Sequence, residues 1–194
     1  MKRIITLLSL VILSLTSFAQ PKYEKSFELG FQKGLSNDFN YYFGIDMING
    51  LRFNDIISCG IGVGYGRGDY LAWKTKGYKD KEYKLGNEGS SFIPVYARFK
   101  VNLTKKRISP FLVGNLGYVF DIGDTSLTNA SGIYGEADFG VDVPISEGSK
   151  LYFMAGVCPR LSQTFFRDYG NLNADGLVQN KETTMISFKI GFMF

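Results

Sequence analysis

Apolar and polar residues alternate along most of the chain with a period of two, the spacing of a β-strand whose two faces meet different surroundings. The alternation is clearest at the C-terminal end, in Glu182 to Phe194. The even positions there are apolar: Ile186, Phe188, Ile190, Phe192 and Phe194. The odd positions are mixed, and one of them is Lys189. This segment is therefore predicted to be a strand with one continuous apolar face.

Seven further segments repeat this alternation, and no segment shows the helical period of ~3.6 residues. In chain order they are Glu24–Lys33, Asp38–Met47, Ile56–Gly66, Ser91–Leu103, Pro110–Asp121, Gly132–Ile145 and Leu151–Ser162. A terminal strand this apolar promotes aggregation unless it pairs with another strand and closes a barrel. The pattern predicts an all-β fold, an eight-stranded antiparallel up-and-down transmembrane β-barrel in which the first and last strands pair.

Short and long connections alternate between the segments. Asn49-Gly50 and Asn54-Asp55 predict a turn, and residues 104–109 and 146–150 are further short connections. The first outer loop, residues 34–37, is an exception because it is also short. Residues 67–90 and 163–181 are long and polar, and we expect them to be loops. Short periplasmic turns and long outer loops are typical of bacterial outer-membrane barrels.

Residues 1–19 have the pattern of a secretory signal peptide. Two basic residues precede an apolar run from Ile4 to Leu15, and a small-residue cleavage site ends at Ala19. The run is shorter than the ~20 apolar residues of a membrane-spanning helix. We therefore expect cleavage after export, with residues 20–194 forming one outer-membrane barrel domain.

Two stretches of sequence, together with the signal peptide and the eight alternating segments, carry a resemblance to a known family. The stretches are Ile93–Lys100, followed by Ser109-Pro110-Phe111, and Phe188–Phe194. Residues 20–194 resemble, over their whole length, the small outer-membrane β-barrel family of Gram-negative bacteria, the OmpA/OmpX-like or "porin family" proteins. The resemblance implies that Phe188, Phe192 and Phe194 belong to the signal read by the barrel-assembly machinery.

Nine charged residues are predicted to face the barrel interior if the apolar faces meet lipid. They are Glu28, Asp46, Arg98, Lys100, Glu136, Asp138, Asp142, Arg160 and Lys189. Side chains just fill an eight-stranded barrel, and buried charges require partners. The preferred interpretation is a salt-bridged plug, with Glu28 as the partner of Lys189, and a gate or proton path is the alternative. The alternating glycines of residues 60–66 would leave room opposite the large interior side chains.

The chain contains no histidine, which argues against several classes of outer-membrane enzyme. Outer-membrane lipases, deacylases and omptin-type proteases use a histidine, and the two separated cysteines do not form a metal site. The formal net charge of +4, part of which lies in the signal peptide, does not argue for nucleic-acid binding. We therefore expect no enzymatic activity, no cofactor and no metal.

Basic and aromatic residues are interleaved in the predicted loop of residues 67–90. The candidate binding residues are Trp73, Lys74, Lys76, Tyr78 and Lys79. Such a loop is suited to the phosphates of lipopolysaccharide or to a protein partner, and the alternative is a solvated loop without a ligand.

These features predict a small non-enzymatic outer-membrane barrel that contacts lipid and acts as a structural or surface-interaction protein through its outer loops. The alternatives are an accessory component of a secretion or transport machine, similar to PorT-like barrels, a narrow pore, and a secreted lipocalin-like carrier. A carrier would turn its apolar face inward around a ligand. Aromatic residues at both ends of the apolar faces favour the membrane.

Overall fold

The computed structural model describes residues 21–35, 39–76, 82–122, 131–165 and 178–194, which form eight strands. The strands are β1 (Lys22–Gly34), β2 (Phe39–Arg52), β3 (Ile57–Lys76), β4 (Glu82–Asn102), β5 (Ser109–Asp121), β6 (Gly132–Ser146), β7 (Ser149–Phe165) and β8 (Val178–Met193). The predicted signal peptide lies outside these ranges. Within the ranges, no helix has the length and apolarity needed to cross a membrane.

The sheet is a closed barrel, because each strand pairs antiparallel with its neighbours in sequence and β1 pairs with β8. The closing pair aligns Phe27 with Phe192, and two backbone hydrogen bonds of 3.1 and 2.9 Å join Lys25 to Phe194. The predicted fold class and the pairing of the first and last strands are confirmed. Closure removes the unpaired sheet edges that a bilayer would not tolerate.

The apolar faces of the strands point outward. Ile61 and Leu116, for example, are 64% and 67% exposed, although soluble proteins rarely leave large contiguous apolar surfaces in water. The sequence of β5 is apolar on both faces and does not fix which face is inside; in the structure Phe111 and Val113 are buried while Leu112 is exposed. A soluble ligand carrier requires the opposite arrangement, with its apolar side chains inside.

The turn between β2 and β3 is shorter than predicted. Asn49-Gly50 lies within β2, so its interpretation as a turn signal was wrong, whereas residues 54 and 55 do lie in the turn. Gly50 pairs with Gly60, and a Cβ atom on Gly50 would lie 2.7 Å from the carbonyl oxygen of Cys59. Gly50 is therefore explained by the close approach of two strands rather than by a turn.

The two long connections are partly β-structure, which corrects the prediction of loops. β3 continues to Lys76 and β4 begins at Glu82, so most of residues 67–90 forms a hairpin that extends the sheet. β7 and β8 likewise extend to Phe165 and from Val178. The prediction failed because these polar strand ends lack the alternation of apolar residues that marks the rest of each strand.

Candidate functional site: the charged interior of the barrel

The nine charged residues predicted to face the interior are all buried, with exposures between 1% and 8%. They lie on β1, β2, β4, β6, β7 and β8, at positions that alternate with the exposed apolar residues. β3 contributes no charge between residues 60 and 66 and has glycine at its inward positions. Burial of this many charges requires partners inside the barrel.

Glu28 on β1 is the most connected of these acids. The two terminal nitrogens of Arg98 donate to its two oxygens, one of them at 2.8 Å. The hydroxyl of Tyr152 donates to the same carboxylate at 2.6 Å, and Lys189 Nζ lies 3.9 Å away. A bidentate pair between arginine and a carboxylate is among the strongest polar contacts in proteins. Glu28 therefore joins β1 to β4 and β7 through the interior.

Glu136 on β6 is the second centre. Lys189 donates to Glu136 Oε2 at 2.5 Å and lies 3.9 Å from Glu28. The nearest acid to Lys189 is therefore Glu136, whereas the sequence predicted Glu28. Asn115 donates to the same oxygen at 2.7 Å and accepts a hydrogen bond of 2.9 Å from Arg98 Nε. Together with Glu28, these residues form a ring of contacts across the interior, which we call the central ring: Glu28, Arg98, Asn115, Glu136 and Lys189.

A smaller cluster lies nearer the end of the barrel that carries the short turns. Lys100 donates to Asp142 at 2.6 Å, and Lys150 donates to the other oxygen of that carboxylate at 3.3 Å. The ammonium of Lys100 also lies 3.9 Å from the centre of the Phe111 ring, a cation–π contact. Lys150 was not among the predicted site residues, because it sits next to a turn and is only half-buried.

The remaining interior charges have other surroundings. The guanidinium of Arg160 lies 4.6 Å from the centre of the Phe92 ring, and Ser187 donates to Asp138 at 2.5 Å. Asp46 is the cross-strand neighbour of Glu28 and lies 4.0 Å from Lys189. The structure thus connects Asp46 to the central ring and leaves Arg160 packed against an aromatic ring.

The glycines of β3 make room for two tyrosine rings. A Cβ atom on Gly62 would overlap the ring of Tyr96, and one on Gly66 would overlap the ring of Tyr42. The prediction that residues 60–66 form a bare wall opposite large interior side chains is confirmed at these positions. The rings of Tyr96 and Tyr42 therefore occupy the space that side chains at these glycine positions would take.

Small cavities remain on either side of the central ring. One of about 30 Å³ is lined by Arg98, Lys100 and Tyr152, and another of about 20 Å³ is lined by Asp46, Arg160 and Lys189 among others. Cavities of this size have room for about one or two water molecules. Among the described residues, no group of three or more carboxylate, cysteine or histidine side chains is arranged to hold a metal ion.

The other predicted site residues lie outside the interior. Trp73, Lys74 and Lys76 are in β3, where the structure describes their backbone, while Tyr78 and Lys79 fall outside the described residues. Phe188, Phe192 and Phe194 are exposed on the outer surface. The ring of Phe194 lies 6.0 Å from that of Phe27 and 5.9 Å from that of Phe192, so these aromatic side chains group where β8 meets β1.

The sequence matches no protein-family model and no curated protein. The fold is similar to the crystal structure of Neisserial surface protein A, with 15% identity, a TM-score of 0.56, and coverage of 90% of this chain and 98% of the other. The outer membrane protein OprG from Pseudomonas aeruginosa has 12% identity and a TM-score of 0.55, covering 90% and 96%. The outer membrane protein AlkL, determined in lipid bilayers, has 14% identity and a TM-score of 0.56, covering 91% and 90%. The chain has the fold of the small outer-membrane β-barrels.

Proposed function

We propose that this protein is a non-enzymatic barrel of the bacterial outer membrane, with an interior closed to ions, that acts as a structural or surface-interaction protein. The central ring is the observation that carries this proposal. Its five residues come from β1, β4, β5, β6 and β8 and meet across the interior. The exposed apolar band on the outside supports the membrane location.

The energetics of the central ring support a closed interior. An ion that passes would have to separate the bidentate contact between Glu28 and Arg98, and each partner would then be buried without its counter-charge. Separating a buried pair costs about 3–5 kcal/mol, and the two cavities beside the ring have room for only about one or two waters each. We therefore expect the barrel to span the membrane and present its outer surface without conducting ions.

Planar-bilayer recording tests the closed interior. The refolded protein is expected to insert without reproducible conductance steps, and electrophoresis of the same preparation, unheated and heated, shows whether the barrel is folded. The double variant Arg98→Ala/Lys189→Ala removes two ring members and serves as the positive control, since it is expected to leak. A stable open conductance of the unmodified protein would favour a narrow pore and contradict the proposal.

Fractionation of cells tests the location. The protein is expected in the outer-membrane fraction, to require detergent for extraction, and to migrate in its compact folded form unless heated. Recovery in the soluble periplasmic fraction would contradict a membrane barrel.

The extended β3–β4 hairpin is the proposed interaction surface. Its register places Lys74 opposite Lys84 and Lys76 opposite Glu82, so three bases and one acid lie close together along the chain near its tip. We propose that these bases bind the phosphates of lipopolysaccharide. The variant Lys74→Glu/Lys76→Glu/Lys79→Glu is expected to bind purified lipopolysaccharide more weakly.

The control for that variant reverses two exposed charges at the opposite end of the barrel, on β1, in Lys22→Glu/Lys25→Glu. Its binding of lipopolysaccharide should equal that of the unmodified protein. Unchanged binding by the hairpin variant would remove the hairpin from the proposal while leaving the closed barrel intact.

A further inference from the structure

The turn between β4 and β5 presents three consecutive basic residues at the short-turn end of the barrel. Lys105, Lys106 and Arg107 are all exposed. Leu103 and Ile108 flank them and are 51% and 58% exposed, which is high for large apolar side chains. We call residues 103–108 the basic turn.

Hydrogen bonds hold the base of this turn. The N–H of Leu103 donates to the carbonyl of Pro110 at 2.8 Å, and the Ser109 hydroxyl donates to the carbonyl of Thr104 at 2.7 Å. The N–H of Asn102 also donates to the carbonyl of Ile56 in the neighbouring turn, at 2.7 Å. The turn is thus tied to the strands on both sides, and its basic side chains are displayed from a fixed base.

The three bases have no acidic partner among the residues that the structure describes. Among the nearby acids, Glu24 pairs with Arg52 and Asp142 pairs with Lys100, while the single exposed acid of the neighbouring turn, Asp55, forms no ion pair with the three bases. The basic turn therefore carries local positive charge that the protein itself does not neutralise. Intramolecular ion pairing does not explain three adjacent bases here.

The apolar band of the barrel leads directly to this turn. On β4 the outward Phe99 precedes Leu103 by four residues, and on β5 the outward Leu112 follows Ile108 by four residues. Leu103 and Ile108 are thus the last apolar positions before the chain leaves the band. The bases between them are placed at the level of the lipid headgroups, where lysine and arginine keep their charge in water while their stems lie along apolar surface.

We propose that the basic turn binds the phosphate groups of anionic phospholipids in the membrane leaflet at the short-turn end of the barrel. This inference rests on the proposed membrane location. An anionic lipid fits better than a protein partner because its headgroup meets the bases while its acyl chains cover the adjoining apolar side chains. Each basic residue near an anionic surface is expected to favour such lipids by about fivefold.

Spin-labelled lipids measure this preference directly. The protein is reconstituted in phosphatidylcholine vesicles, and the fraction of labelled phosphatidylglycerol or phosphatidylcholine in contact with it is compared by electron paramagnetic resonance. We expect a preference for phosphatidylglycerol of at least about fivefold, the preference that a single base near an anionic surface supplies, and we expect it to fall as salt is added. Lys105→Gln/Lys106→Gln/Arg107→Gln should lose most of the preference, while Lys105→Arg/Lys106→Arg/Arg107→Lys should keep it.

Heat-dependent electrophoretic migration of each vesicle sample separates this inference from the proposed function. Loss of the preference in a glutamine variant that still migrates as a folded barrel supports the basic turn as the site. Equal contact with the two lipids in the unmodified protein, or an undiminished preference in the glutamine variant, would overturn the inference. An unmodified protein that does not insert into vesicles at all would instead overturn the membrane barrel itself.

Discussion

Replacing Glu28 by glutamine is expected to lower the free energy of unfolding by about 3–5 kcal/mol, the cost of breaking a buried ion pair by removing one partner. The substitution keeps the size of the side chain but leaves Arg98, which is 8% exposed, without its bidentate counter-charge. The new amide group would also present N–H donors to the donors of the guanidinium. Tyr152 and Lys189 lose their contact with a carboxylate at the same time.

A double-mutant cycle separates the pair from the other losses. Glu28→Gln, Arg98→Met and the double variant should give a coupling energy of about 1.5–7 kcal/mol, the range of close charge pairs removed from water. The pair between Glu24 and Arg52 is the matched control, because the same substitutions apply and its side chains are 15% and 24% exposed. Solvent screening should hold its coupling to about 1 kcal/mol or less.

Urea titration of vesicle-refolded protein supplies the free energies, with the folded fraction read from electrophoretic migration without heating. If the coupling energy between Glu28 and Arg98 were no larger than that between Glu24 and Arg52, the reasoning would be refuted. Such a result would mean that water reaches the central ring and screens its charges. Equal slopes with urea across the variants are needed for the comparison, since a changed slope reports a changed folded or unfolded state.

Three further predictions test the packing and the closure. Gly62→Ala should lower the free energy of unfolding by about 1–3 kcal/mol, because the new Cβ would overlap the ring of Tyr96. Gly114→Ala is the control and should leave it unchanged, since a Cβ there would have no atom within 4 Å. Equal urea midpoints for the two variants would contradict this prediction. Deleting residues 192–194 should prevent barrel assembly, because these residues complete the pairing of β8 with β1, and normal folded migration would count against it. The thiol of Cys158, 1% exposed, should resist maleimide until urea unfolds the barrel, whereas rapid labelling of the folded form would indicate an open interior.

The strands and their faces could be predicted from the sequence because a bilayer outside and a packed interior impose opposite chemistry on alternate positions. Where a strand extends beyond the bilayer, this constraint is absent and the strand could not be predicted. Beyond Gly66 on β3 and before Ser91 on β4 the strands continue, but their apolar residues no longer alternate regularly with polar ones. Gly50 was misread because a glycine at a close approach of strands and a glycine in a turn look the same in sequence.

Which charged side chains face the interior could be predicted from the sequence, but which of them pair with one another could not. Alternation assigns Lys189 to the inside, yet its nearest acid lies on β6, two strands away, and that contact depends on the tilt and register of the closed barrel. Asn115 was missed because it stands on a strand that is apolar on both faces. A single polar residue at an inward position of such a strand was the signal available.

The balance of charge inside the barrel also supports a closed interior over an ion path. Five buried acids face four buried bases, and Lys150, reaching Asp142 from the short-turn end, supplies a fifth base. Ion paths whose selectivity comes from side chains carry rings of one sign along their walls. Among the described residues acids and bases are matched in number, and most of them are connected in one ring and one smaller cluster, while Asp138 bonds to Ser187 and Arg160 packs against Phe92. An ion of either sign that displaced a partner in the ring or the cluster would meet a like charge. The same matching explains how a narrow barrel tolerates so many buried charges, since each carboxylate of the central ring accepts from more than one donor.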